Sequence, residues 1–589
     1  MSAVTLHHDG AFAAARRKLR FGPLWLAAPG LAFLAVFFLF PVLRLLGLSV
    51  QDLETSAWTG DHYARIVATD VYFRVLMSTF RIAGLTALLS LLFGYPLAYW
   101  LAQLPERQRG LAILAVMVPF WTSYLVKTFA WMVILGRTGV INQILSGTGM
   151  PALPLLHNEF GVMAGMVHAM LPLAVLTMLP VMTTVDRRLV QAAETLGAPP
   201  ANAFWLVYFQ LSLPGVAAAG LLTFISSLGF FIVPALLGGP QQTMLAQLII
   251  TQIQEMLNWA FAGALATFML VAALVTCWVY DRLFGLSSLS GETSGRSGGG
   301  QGRLRGAGMT VLSALAKASN AVGGPVARLL GPKMMDRLLP LYSALVIVFL
   351  VAPALVVVPI AFTTSPFLDF PPPGYGLEWF RVYFNSDLWV SATIRSFVVA
   401  FATAILATLV AGLAALALAR SSSRWRGVIF AFFLAPMIVP RIVIAVGLFY
   451  LFAQIGLVAT DLGLIIGHTV LALPFAFVAI SAVVKGHDWR LDQAAATLGA
   501  NRFKTLMLVT VPLIRGGLVA AFLFAFITSF DELTVAIFVS GGVKTTLPKQ
   551  MWDDMILQLN PTLAAVSVVV FAIVMALLLI AEWLRRPAR

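Results

Sequence analysis

Twelve long apolar runs divide this chain, and they dictate what it can become. They fall at 24–48, 78–102, 111–135, 160–184, 213–236, 261–284, 338–362, 394–418, 428–453, 462–484, 515–539 and 561–584. A hydrocarbon core about 30 Å thick needs roughly 20 apolar residues per helix, and every run reaches that length. Inside lipid a segment must satisfy its own backbone hydrogen bonds, so each run is read as a transmembrane helix. Composition agrees: 60% of the 589 residues are hydrophobic and only 11% are charged, with a mean hydropathy of +0.92. A soluble chain is nearer half apolar and a quarter charged. The expected fold is an all-α polytopic membrane protein with twelve transmembrane helices.

The formal net charge of +14 does not point to nucleic acid here. Basic residues of membrane proteins gather in cytoplasmic loops and face anionic lipid. The N-terminal stretch carries Arg16, Arg17, Lys18 and Arg20, and the C-terminus ends with Arg585, Arg586 and Arg589. A central stretch carries Arg296, Arg303, Arg305, Lys317, Arg328, Lys333 and Arg337 against Glu292 and Asp336. Segments 49–77 and 363–389 are instead weighted towards Asp and Glu. Both termini and the centre are expected in the cytoplasm, and twelve spans close that topology. Cys277 is the single cysteine, so no internal disulfide is available. The first apolar run is long enough to span and is not followed by a small-residue cleavage site, unlike a signal peptide.

Residues 286–309 are rich in Gly and Ser, including Gly298-Gly299-Gly300, a composition that makes a flexible tether. Residues 310–336 are weakly amphipathic and read as a surface helix or a disordered tether. The expected organisation is a first unit at 1–285, a cytoplasmic linker at 286–336 and a second unit at 337–589. Each unit has an even number of spans, so the two are parallel repeats.

A motif repeated 302 positions apart supports that division. Gln191-Ala192-Ala193-Glu194-Thr195-Leu196-Gly197-Ala198 returns as Gln493-Ala494-Ala495-Ala496-Thr497-Leu498-Gly499-Ala500. Leu171-Pro172 and Leu473-Pro474 keep the same register, since 191 − 172 and 493 − 474 both equal 19. Both copies lie in polar gaps, within loops 186–212 and 485–512. Gln-Ala-Ala favours a helix, and Gly197 and Gly499 suit a helix C-cap, where positive φ costs glycine nothing. A second short helix follows each. Such an elbow with a small-residue face can enter a groove on another protein. A plain cytoplasmic turn is the competing reading, and duplication weighs against it.

The loops resemble the EAA loop of binding-protein-dependent ABC importer permeases. Gln191 and Gln493 stand where that family has Glu, and the later family proline is present as Pro512 but is Gln210 in the first copy. Phe120-Trp121-Thr122-Ser123-Tyr124 and Val233-Pro234-Ala235-Leu236-Leu237-Gly238-Gly239-Pro240 resemble the first permease of spermidine/putrescine-type importers. Phe530-Asp531-Glu532-Leu533, with Leu547-Pro548, resembles the second. The resemblance implies two fused type I permease units in a bacterial inner membrane. It implies two ABC ATPase subunits on the cytoplasmic face and a solute-binding protein outside. ATPase coupling would then fall to Gln191, Ala192, Ala193, Glu194, Gly197, Ala198, Gln493, Ala494, Ala495, Gly499 and Ala500. No G-x-x-x-x-G-K-[ST] loop occurs, so ATP and Mg are expected on the partners, with no cofactor or metal on this chain. Transport by alternating access is implied, with a polyamine-like solute as first choice and ferric ion, amino-acid derivatives or aminophosphonates as alternatives.

Ionisable residues inside spans cost on the order of 2.5–3.5 kcal/mol at the bilayer centre. Lys127, Arg441, Asp531 and Glu532 are the four to weigh. At about 1.5 Å per residue they lie roughly 20–27 Å from the expected cytoplasmic ends, in the outer half. They either line a path for a charged solute or form internal pairs and snorkel. His168 and His468 lack metal-ligand spacing and read as interhelical hydrogen-bonding residues. A major-facilitator carrier would also have twelve spans in parallel halves. Its Gly-x-x-x-Asp-Arg loop is not matched by Leu104-Pro105-Glu106-Arg107-Gln108-Arg109-Gly110.

Overall fold

A computed structural model describes residues 23–52, 55, 57–284, 301–330, 332–542 and 544–585. Among these every regular element is a helix, with only isolated β-bridges besides. The basic clusters at 16–20 and 586–589 and the Gly298-Gly299-Gly300 stretch lie outside the described residues.

In the first half the long helices are α1 (Leu24–Leu48), α2 (Asp70–Gln103), α3 (Glu106–Trp121), α4 (Tyr124–Leu135) and α5 (Glu159–Thr184). Then come the short α6 (Arg187–Thr195), α7 (Pro200–Leu228), the short α8 (Ile232–Leu237) and α9 (Trp259–Phe284). The linker contributes α10 (Gln301–Leu330). The second half repeats the plan: α11 (Pro332–Ala361), α12 (Asp387–Ala419), α13 (Arg426–Ile438), α14 (Arg441–Ile455) and α15 (Asp461–Lys485). It closes with α16 (Trp489–Thr497), α17 (Arg502–Phe530), α18 (Thr534–Val539) and α19 (Thr562–Arg585).

Among the described residues ten helices are long and apolar enough to cross a membrane, and the pair α13–α14, bent by 95°, makes an eleventh when read as one span. The apolar Thr562–Leu577 stretch of α19 accounts for the twelfth expected segment. The bend has a local cause. Pro440 has no N–H to donate, and the residue before a proline is pushed out of the helical region; Val439 is extended at φ −75 and ψ 126. The first half breaks at the same place, after Trp121, where Thr122 is extended and Ser123 caps the new helix by accepting from the Leu125 N–H at 3.2 Å. Hydropathy alone reads 111–135 as one span; the structure divides it into α3 and α4. Similarly, 213–236 and 515–539 each end in a separate short helix, α8 and α18.

The short helices nest against glycines of the fourth span. A Cβ on Gly165 would sit 2.7 Å from Leu237 and 2.8 Å from Val233, and one on Gly467 would sit 2.7 Å from Val535. The two glycines are 302 residues apart, the spacing of the repeated motif. Close approach at small residues is how helices associate where lipid removes the hydrophobic drive.

The first span of each half packs on the other half. Helix α1 lies against α12, α13 and α14, while α11 lies against α2, α3 and α4. At Gly30 a Cβ would meet Phe433 at 2.6 Å and Val410 at 2.9 Å. On the reciprocal side, His168 on α5 is within 2.9 Å of the Leu350 carbonyl on α11, between the rings of Trp131 and Phe349.

Candidate functional site: paired elbows and a polar seam

The two elbows share one geometry. Asp186 and Asp488 start α6 and α16 by accepting the N–H of Arg188 and Arg490 at 2.9 and 3.0 Å. Each helix stops at a left-handed glycine, Gly197 at φ +86 and Gly499 at φ +83. The N–H of Ala198 then reaches back to the Ala193 carbonyl, and that of Ala500 to the Ala495 carbonyl, both at 3.0 Å. This is a six-residue glycine-terminated cap, which satisfies carbonyls the helix end leaves free. Gln191, Ala192, Glu194, Gln493 and Ala494 are exposed, while Ala193, Ala198, Ala495 and Ala500 are half-buried. At the tip stand Leu196, 89% exposed, and Leu498, 88% exposed. The two leucines occupy equivalent positions and are left almost bare. Sequence reading did not single them out, although the Leu-Gly pair recurs in both copies.

The elbows differ in how they are held. Arg187 donates to the Ala102 carbonyl at 3.3 Å, and Tyr99, Phe204 and Tyr208 pack ring on ring beside it. The second elbow uses charge. Asp492 accepts from Arg420 at 2.7 Å and Thr510 at 3.1 Å, and lies 3.1 Å from His487. Trp489 carries the Arg420 guanidinium 4.7 Å over its ring. A cleft of about 470 Å³ opens there, lined by Arg420, Trp489, Asp492, Gln493 and Ala500 among others. Asp492 was missed because a lone acid beside a motif carries no signal until its partners, 72 and 18 residues away, are placed.

Away from the elbows the halves meet along a polar seam. Asp531 terminates α17 and accepts the Tyr124 N–H, from the opposite half, at 3.4 Å. Lys127, 5% exposed, donates to the Pro119 carbonyl at 3.1 Å and sits 4.2 Å over the Tyr124 ring. Arg441 opens α14 and is exposed. A Cβ on Gly229, the first-half counterpart of Asp531, would fall 3.2 Å from Pro440 and 3.6 Å from the Arg441 backbone nitrogen. Lys127, Asp531 and Arg441 therefore converge on the boundary between halves. Glu532 points elsewhere. It is 1% exposed, and its carboxylate accepts the N–H groups of Thr534, Val535 and Ala536 at 2.9, 2.8 and 3.3 Å. His468 stands 3.6 Å from it and 2.8 Å from the Ser529 hydroxyl.

The family model of the binding-protein-dependent transport system inner membrane component matches residues 19–288 and 407–589. The spermidine/putrescine transport system permease protein PotB of Salmonella typhimurium is 30% identical over 43% of this chain and 91% of its own length. The corresponding permease protein PotC of Haemophilus influenzae is 31% identical over 36% of this chain and 83% of its own. A bacterial alginate ABC transporter, solved in complex with an alginate pentasaccharide-bound periplasmic protein, aligns with 47% of this chain and 97% of its own at 16% identity and a TM-score of 0.39.

Proposed function

Because this chain belongs to the inner membrane components of binding-protein-dependent transport systems, we propose that its two halves form the complete translocation unit of an ATP-driven importer. The observation that carries this reading is the pair of matched elbows, each ending on an exposed leucine at a glycine turn. In this reading the elbow face is cytoplasmic in a bacterial inner membrane, and each elbow seats in one of two ABC ATPase subunits. ATP and Mg belong to those subunits.

Closure of the ATPases draws the elbows together and rocks the halves about the seam between them. A binding protein docked on the opposite face then delivers its solute. Alternating access of this kind needs a boundary that can open without exposing broken helix ends. The breaks at Ser123, whose hydroxyl caps α4, and at Pro440, which has no N–H to leave unpaired, both face the other half and suit that demand.

For substrate, both named permeases above belong to spermidine/putrescine systems, and a polyamine-like cation is the first choice. Asp531 is the acid placed to meet it. Lys127 and Arg441 on the same boundary keep an anionic or zwitterionic solute as the second reading. Glu532, spent on backbone amides, serves as the N-terminal anchor of α18 in this scheme. Calorimetry on the cognate binding protein with putrescine, spermidine, an aminophosphonate and ferric ion tests the choice. Tight polyamine binding supports it; tight binding of an anion instead shifts the pathway role to Lys127 and Arg441. ATP-dependent uptake in vesicles holding this chain, its ATPase and the binding protein tests the importer itself.

A further inference from the structure

We propose that the linker helix α10 is an interfacial clamp. One face grips the first elbow, and the other lies on the anionic headgroups of the membrane leaflet on the elbow side.

The gripping face is defined by contacts. Trp205 Nε1 donates to Ser319 Oγ at 2.9 Å, and Asn320 Nδ2 donates to Asn202 Oδ1 at 2.9 Å. Ala316, one turn earlier, is 1% exposed. Helix α10 thus covers 200–208, the first turns of α7. Among the described residues the second elbow has no such cover. Trp205 and Leu206 are half-buried, whereas their counterparts 302 residues on, Met507 and Leu508, are 45% and 73% exposed.

The other face is apolar and bare. Val311, Leu315 and Val322 are 58%, 40% and 65% exposed, and Ala318 between them is also exposed. At 100° per residue these four positions fall within about 60° of one another, a single stripe roughly a quarter-turn or more from Ala316 and Asn320 and flanked at about 40° by Ser319, which marks the border between the two faces. Three observations select lipid as its occupant. From Gln301 to Leu330 the sequence has Arg303, Arg305, Lys317 and Arg328 and no acidic residue. The helix packs on 200–208, where the apolar helix Pro200–Leu228, long enough to cross a bilayer, begins. It is also followed at once by the span Lys333–Ala361, which ties its end to the membrane. An apolar stripe on a basic helix beside the starts of two spans is the pattern of helices lying in the headgroup layer of anionic membranes.

The test uses the full chain with Cys277→Ser and single cysteines, in turn at Val311, Leu315, Val322, Lys317 and Ala321, each carrying a nitroxide. The protein is placed in vesicles of phosphatidylglycerol and, separately, of phosphatidylcholine. We expect labels at 311, 315 and 322 to favour oxygen over a nickel chelate in phosphatidylglycerol, and those at 317 and 321 to favour nickel. The contrast should weaken by at least about twofold in phosphatidylcholine. Nickel access along the whole helix in both lipids overturns the proposal, and so does equal shielding in both, which removes the anionic requirement. A second variant, Leu315→Asp with Val322→Asp, should raise amide exchange across 200–208 by at least about threefold and leave 502–510 unchanged. Unaltered exchange at 200–208 overturns the clamp.

Discussion

Arg420 and Asp492 meet at 2.7 Å, joining the end of the span α12 to the elbow helix α16. This pair ties the second elbow to a span of its own half. Side chains of the two are 32% and 12% exposed, so solvent weakens their attraction but does not cancel it.

Asp492→Ala is expected to impair transport more than Arg420→Ala. The aspartate also serves Thr510 and His487, and its loss strands three partners at once; Arg420 keeps the Trp489 ring. A partly exposed pair is worth about 0.2–1 kcal/mol, and hydrogen bonds to a charge about 1.5–3. Uptake rates of the single and double variants, arranged as a cycle, measure the coupling. Equal losses in the two singles would show that the aspartate acts through Arg420 alone.

Leu196→Asp and Leu498→Asp together should abolish association with the ATPase while leaving insertion and thermal stability unchanged. Both side chains touch almost nothing in this chain, so nothing internal is lost. Co-purification with the ATPase, and melting in detergent, separate the two effects. Full co-purification by the double variant refutes the role of the tips.

Gly197→Val with Gly499→Val should stop ATP-driven uptake. A Cβ at either position meets nothing within 4 Å, so the cost is conformational, about 1–2 kcal/mol per residue forced into the left-handed region. Gly→Ala at the same sites should do less harm than valine, whose branched Cβ fits that region worst. Wild-type uptake by the valine pair would remove the glycine turns from the coupling mechanism.

Glu532 and Asp531 are neighbours with different expected phenotypes. Glu532→Ala leaves three buried N–H groups without acceptors, at about 1–3 kcal/mol each, and should lower the melting temperature sharply. Glu532→Gln retains one acceptor oxygen and should recover part of that stability without altering apparent solute affinity. Asp531→Asn should leave melting nearly unchanged and shift the uptake KM for a cationic solute. A KM shift from Glu532→Gln as large as that from Asp531→Asn would place Glu532 on the path.

A protease site inserted at 298–300 should allow the linker to be cut without separating the halves. Each first span is held by the other half, Gly30 under Phe433 and Leu350 beside His168. Gel filtration in mild detergent after cleavage reads the result. Separation into two fragments would contradict the exchanged packing.

The elbows were legible because the chain states them twice. A repeated Gln-Ala-Ala with a glycine four residues past the second alanine fixes both the helix and its stop, and the structure has both. The spans were legible as apolar lengths. Hydropathy did not show their interruptions, since it counts Pro440 and Thr122 as ordinary members of a run and ignores what they do to the backbone. The exchange of first spans left no mark either: lipid-facing and protein-facing sides of a membrane helix are equally apolar, and partner choice rests on small residues such as Gly30. The four intramembrane charges were found, but their separate uses were hidden. A carboxylate capping α18 and one reaching across the seam look alike until the backbone amides around them are placed. Asp492 and the tip leucines required the same step.

The exchanged first spans also bear on how the molecule is made. Gly30 leaves the ribosome 403 residues before Phe433, the ring that will cover it. At about 5–20 residues per second that interval is roughly 20–80 s, during which α1 can pack only on its own half, where Leu45 lies beside Gly263 of α9, and its Gly30 surface must wait among lipids. Two separate polypeptides would leave that wait to chance encounter. Fusion converts it into a timer set by translation, with one correctly matched second half delivered to the same patch of membrane every time.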